Sequence, residues 1–149
     1  MREVRLVGGV KLGKSIGLLV NGPNVLLRKF NFNLQSILNA VKSLGRIVIG
    51  KVILNHNAPQ KLIEAVINSG LEPIVVNGRA DVAFTVEAMK LIYNSKISAL
   101  ALAVRDAHFL PVLIEAKKAG KEVIILGPRE GLSEALQNAA DEVIILGKA

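Results

Sequence analysis

The run Ile16-Gly17-Leu18-Leu19-Val20, closed by Asn21-Gly22-Pro23-Asn24, is the stretch on which the fold depends. It is apolar at successive positions rather than at every second one, the pattern of a strand covered on both faces. The same pattern recurs at 99–104, where the apolar run ends at Arg105-Asp106-Ala107-His108-Phe109. Four more runs share it, at 47–54, 73–76, 122–126 and 143–146. Helical spacing fills the intervals. Leu34, Ile37, Leu38, Val41 and Leu44 predict a helix capped by Asn33 and stopped by Gly45. Leu62, Ile63, Val66 and Ile67 predict a second, after Pro59 and ended by Gly70. Val82, Val86, Met89 and Tyr93 mark a third; Phe109, Val112, Leu113 and Ala116 a fourth, closed by Gly120. Leu132, Ala135, Leu136 and Ala139 mark a short fifth, opened by 128–131. Such alternation predicts an α/β class: a doubly wound, mainly parallel sheet of five to six strands with helices on both faces, Rossmann-like in outline. Residues 16–149 are expected to form one domain, with 1–15 an arm or a short extra strand.

Composition narrows the functions. At 149 residues the chain suits a single domain that buries about 70% of its unfolded surface. It has no cysteine, which excludes disulfides and thiolate metal sites. No apolar run reaches the roughly 20 residues a bilayer span needs, and the N-terminus lacks a signal-peptide core, so the cytoplasm and no membrane contact are expected. The net charge of +7 fits a polyanionic partner as well as ordinary solubility. One tyrosine and no tryptophan leave little material for base-stacking platforms, so contacts to nucleic acid would fall mainly on phosphates.

Ligands of open parallel sheets bind beyond the carboxyl ends of the strands, where the winding direction switches. The loops there carry Asn21 and Asn24, Asn55-His56-Asn57, Arg79 and Asp81, Arg105-Asp106 with His108, and Arg129. Each residue also has an ordinary structural use. Asp81 and Asp106 precede helices, where aspartate is a favoured N-cap. Asn21 and Asn24 suit a turn, and the histidines suit surface or packing positions. The combination on adjoining loops is what points to a site. Gly8-Gly9-Val10-Lys11-Leu12-Gly13-Lys14-Ser15 matches a phosphate-loop pattern, but that mechanism needs a helix directly after the serine, and a strand follows instead.

These residues also carry a family likeness. Gly17-Leu18-Leu19-Val20-Asn21-Gly22-Pro23-Asn24 resembles the D-G-x-N signature that opens NYN domains, a branch of the PIN-like nuclease superfamily. Ala80-Asp81-Val82-Ala83-Phe84-Thr85-Val86-Glu87-Ala88 is similar to the family's x-D-V-x-L-x-x-D-A segment. Val104-Arg105-Asp106-Ala107-His108-Phe109-Leu110-Pro111 resembles its S-G-D-x-D-F-x-P segment, in the R-D-A-D-F form of an archaeal branch. The likeness covers nearly the whole chain and implies a PIN-like fold with metal-dependent RNA cleavage or RNA binding. It places Asp81 and Asp106 at acidic catalytic and metal positions, Glu87 at an Asp/Glu metal position, and Asn24 at the invariant asparagine. Two positions depart: Asn21 and His108 stand where aspartates belong.

The departures have physical consequences. Mg²⁺ or Mn²⁺ wants hard oxygens, including carboxylates, and two-metal hydrolysis needs several. Asn21 keeps an oxygen without its charge, and His108 offers a nitrogen better suited to Zn²⁺. The expected outcome is at most one weakly bound Mg²⁺ or Mn²⁺ at Asp81, Asp106 and Glu87. With less negative charge, Asn24, Arg105, Arg28, Lys29 and Arg79 would favour phosphate. The leading expectation is an RNA-binding domain with weak or absent metal-dependent ribonuclease activity. An active Mg/Mn-dependent endoribonuclease, a small-ligand module, and a scaffold that forms a homodimer through an apolar helix face stay open. Asn21-Gly22 is also a deamidation-prone pair, and deamidation would return a carboxylate to position 21.

Overall fold

The computed structural model describes residues 5–7, 10–27 and 33–147. Arg28 and Lys29 lie outside the described residues, as do Gly8 and Gly9 of the phosphate-loop pattern. A short antiparallel hairpin, β1 (Arg5–Val7) with β2 (Val10–Leu12), precedes the body of the fold. Then follow β3 (Lys14–Asn21), α1 (Gly22–Val25), α2 (Leu34–Lys42), β4 (Gly45–Asn55), α3 (Gln60–Asn68), β5 (Glu72–Val76) and α4 (Ala80–Ile92). The second half contains β6 (Ala99–Ala103), a 3₁₀ turn (Ala107–Phe109), α5 (Leu110–Lys118), β7 (Glu122–Pro128), α6 (Glu134–Ala139) and β8 (Glu142–Leu146).

Six strands form one sheet in the order β5-β4-β3-β6-β7-β8, and every pair is parallel. This is the doubly wound order, built outward in both directions from the first strand. The winding reverses between β3 and β6, so the loops after these two strands open onto a common crevice.

The continuous apolar strands are explained by the two cores they serve. Ile16, Leu18 and Val20 of β3 face α2 and α3, while Leu19 faces the layer of α4, α5 and α6. On β6, Ala99, Ala101 and Ala103 lie on the first side, and Leu100 and Leu102 on the second. The small alanines let α2 lie close to the sheet and reach across to β8. Full burial of each large aliphatic side chain contributes about 1.5–3 kcal/mol. Asn33 caps α2 as predicted, through a reciprocal bond with Ser36, and Gly70 and Gly120 take the positive φ values expected of helix stops. Gly45 has a different use: it starts β4, where a Cβ would sit 2.4 Å from the Lys14 carbonyl oxygen.

One helix turns a different face inward. Val82 and Val86 of α4 and Tyr93 at its C-cap are 58%, 51% and 66% exposed, and Phe84, Ala88, Leu91 and Ile92 fill the core instead. The helix is apolar nearly all round, so its sequence offers two stripes, and packing against β3 selects the one with Phe84. Ring contact between Phe84 and Phe109, 4.9 Å between centroids, ties α4 to the turn after β6.

At the opposite, amino end of the sheet, Lys14 forms an ion pair with Glu122 at 3.3 Å. No helix follows Ser15, whose N–H donates to Ser98 Oγ. The phosphate-loop reading therefore lacks both its helix and its place in the fold.

Candidate functional site

Asn21 is the last residue of β3, and Asp106 lies just beyond β6. Asp81 is the second residue of α4, delivered by the loop after β5. These loops enclose a cleft of about 300 Å³ whose walls include Asn21, Asn24, Arg79, Asp81, Asp106 and His108. The candidate residues of three separate segments are thus brought together where the winding switches.

Asn24 is the brace of the cleft. Its Nδ2 donates to Asp106 Oδ2 at 2.7 Å, and its Oδ1 accepts the Arg105 backbone N–H at 2.9 Å. Its own carbonyl accepts Arg105 Nε at 2.7 Å. The side chain is buried, with both amide atoms committed to the neighbouring loop. In this arrangement it holds Arg105 and Asp106 in place and has little left to offer a ligand. The Arg105 guanidinium also lies 3.6 Å from Asp106 Oδ1, so that carboxylate has an amide donor on one oxygen and a cation near the other.

Asp81 has a guanidinium partner as well. Arg79 donates to both of its oxygens, at 3.1 and 2.8 Å, the fork geometry that makes arginine–carboxylate pairs specific. The hydrogen bond from Arg79 holds the Asp81 carboxyl below its usual range, outweighing the opposing effect of desolvation, and the same bond raises Arg79. Asp81 stands inside the first turn of α4 rather than at its N-cap, which is Arg79. Asp106 occupies the N-cap position of the 3₁₀ turn but makes no capping bond with its side chain. The N-cap reading of the two aspartates therefore does not hold: one stands two residues past the cap position and the other is occupied by Asn24. Ser133, which the sequence pattern had not singled out, does cap α6.

His108 is half exposed, lies against the Phe109 ring and places Nε2 3.9 Å from Asp81 Oδ2. Asn21 is 3% exposed, and its Oδ1 is buried with no hydrogen-bond partner among the described residues. An unpaired buried acceptor costs about 1–3 kcal/mol.

Glu87 does not join these residues. Its carboxylate takes Lys51 Nζ at 2.7 Å and Lys90 Nζ at 3.0 Å, tying the middle of α4 to β4. Burial works to raise its pKa, but the two lysines outweigh it and hold the carboxyl below the usual range. It is absent from the walls of the cleft, so the geometry separates it from Asp81 and Asp106.

A doubly wound α/β domain with a polar, arginine-flanked cleft at its switch point is the class that fold and site define. Comparison with known proteins names the family: the NYN domain family matches residues 15–147, and the chain belongs to it. NYN domains are a PIN-like nuclease family. The chain is 48% identical over 133 residues to an uncharacterized protein of Methanocaldococcus jannaschii. That match takes in 89% of this chain but only 55% of the relative's length. A crystal structure of a protein of unknown function from Vibrio parahaemolyticus superimposes with a TM-score of 0.76 at 19% identity, over 91% of this chain and 94% of the other, a likeness of fold. Among the described residues no helix is long and apolar enough to cross a membrane.

PIN-like nucleases generally use divalent metals, and the donor set here can be tested against that need. Asn21 Oδ1 is a hard oxygen without a partner, as a cation ligand would be. The carboxylates that should join it are already engaged, Asp81 by Arg79 and Asp106 by Asn24 and Arg105. Among the described residues no group of three or more His, Asp or Glu side chains is placed to hold a metal ion. The residues as arranged do not fit a two-metal centre.

Proposed function

We propose that this domain binds RNA through the cleft between β3 and β6 and hydrolyses it weakly or not at all. One observation carries the reading: the two cleft carboxylates are each matched by an arginine, while Asn21 and His108 stand at two further positions where the family motifs carry aspartate. A nuclease cleft of this family would concentrate negative charge and recruit cations. Here the aspartates act as counter-ions that orient Arg79 and Arg105, and a phosphodiester is the anion for which those guanidiniums can be shared. Bidentate N–H donors match phosphate geometry, and phosphate contacts supply most sequence-independent affinity. The net charge of +7 favours the same partner at longer range.

The test is binding of a labelled single-stranded oligoribonucleotide across a salt series, with a parallel gel assay in Mg²⁺ and Mn²⁺. Affinity that falls steeply with salt, without cleavage, is the expected result. Metal-dependent cleavage abolished by Asp106→Ala would establish an active nuclease instead. Salt-independent binding or none would remove the RNA reading altogether.

A further inference from the structure

A second hollow adjoins the cleft. It lies beyond the carboxyl ends of β3 and β4, has a volume of about 260 Å³ and shares Pro23 with the first. Its lining differs in kind. Leu26, Leu54 and Leu62 supply apolar surface, whereas Asn55 at the end of β4 and Asn57 in the exposed turn after it bring amides. Asn55 Oδ1 accepts the Asn57 backbone N–H at 3.0 Å, which fixes the turn and leaves the Asn57 side-chain amide without a partner among the described residues.

We propose that this hollow receives a nucleobase of the RNA strand whose phosphate occupies the cleft. The proposal rests on the RNA reading above and adds a subsite to it. Three features select a base. First, the hollow is flanked by the phosphate-facing cleft across a single residue, Pro23, so one nucleotide of a continuous strand can bridge the two. Second, a base has two apolar faces and a polar edge, and the hollow has aliphatic surface with amides beside it. Third, the Asn57 amide carries one donor and one acceptor side by side, which complements a base edge bearing one of each. Unpaired bases splayed from a single strand are the form in which RNA presents such edges. A duplex would keep its bases stacked and unavailable, so the subsite selects single-stranded RNA. With leucines in place of aromatic rings, the base is held by burial more than by stacking.

The experiment compares two labelled strands of equal length and charge, one intact and one with every base replaced by an abasic residue. Both are titrated against the full chain and against Asn57→Ala and Ala58→Phe. Ala58 also lines the hollow, and a phenyl ring there would fill it. Asn57 is exposed, so its replacement leaves the fold intact, which circular dichroism verifies for both variants. The intact strand is expected to bind about fivefold or more tighter than the abasic one, the effect of burying a few tens of Å² of apolar base surface against the leucines. Each variant should shrink that ratio while leaving the salt dependence unchanged. Equal affinity of the two strands, or a ratio that survives both variants, would refute the base subsite while the RNA reading stands. Failure of either strand to bind in a salt-dependent way would refute both.

Discussion

Asp81 and Glu87 stand on one helix, six residues apart, and each is held by basic side chains, yet they do different work. Asp81 lies in the first turn of α4, open to the cleft, paired with an arginine that is itself 79% exposed. Glu87 lies in the middle of the helix, largely buried against β4 with Lys51. The first pair is cheap to rearrange, because solvent can replace either partner. The second is structural, since removing one partner leaves a poorly solvated charge behind. A family motif places both positions in one acidic site. In this chain the surroundings of each carboxylate divide them into a cleft-facing counter-ion and an internal tie.

The largest expected effect breaks the structural side of that comparison. Glu87→Ala should lower unfolding free energy by about 3 kcal/mol in a urea titration, with RNA affinity of the folded protein unchanged. A loss of RNA affinity without a loss of stability would return Glu87 to the site. The pH dependence has a definite sign. Because the folded Glu87 carboxyl is held below its ordinary value of 4.5, its contribution is fully present above that pH. It is lost as pH falls further, through the folded value, so wild type should lose stability there more steeply than Glu87→Gln.

Asn24→Ala tests the brace. It strips Asp106 of a donor and takes one acceptor from the Arg105 backbone, costing about 2 kcal/mol and weakening RNA binding together with stability. An unchanged melting temperature would overturn its bracing role. Replacing Asn21 and His108 with aspartates should then shift the cleft from anions toward cations. Mn²⁺ affinity, followed by electron paramagnetic resonance, is expected to rise at least tenfold, the effect of adding two carboxylates to the oxygen donor set. Metal-free RNA affinity should fall in the same variant; a rise in both would refute the charge-balance argument. The smallest effect is that of Arg79→Ala. It should leave the melting temperature unchanged, weaken RNA binding by about threefold and reduce the salt slope by about one. An unaltered slope would remove Arg79 from the phosphate contacts.

The sheet was legible because strand burial on two faces is a local signal. Each of the six apolar runs became a strand, and Asn33, Gly70 and Gly120 served the helix ends they marked. The misread face of α4 shows where such reading stops. When Val82 and Val86 are as apolar as Phe84 and Ala88, periodicity offers two stripes, and only fit against the sheet chooses between them. Site residues followed the same rule. Asn21, Asp81, Asp106 and His108 were found from motif order, and three-dimensional packing brings them to one cleft. The engagement of Asn24 with Arg105 and Asp106, more than 80 residues away, leaves no trace in local sequence. The hollow beside Pro23 is equally hidden, since its walls come from α1, α3 and the turn between β4 and α3.

The sequence by itself therefore determined the order of strands and helices, the parallel class of the sheet, and the two missing carboxylates at positions 21 and 108. The strands and helices follow from unbroken apolar runs and helical spacing along the chain, and the missing carboxylates from the resemblance of its motifs to those of NYN domains. Only the tertiary structure decided which partner each remaining charge takes: Arg79 for Asp81, Asn24 and Arg105 for Asp106, Lys51 and Lys90 for Glu87. The physical reason is distance. An ion pair or hydrogen bond acts over a few ångströms of space, and the fold sets that separation by packing segments whose spacing along the chain carries no record of it.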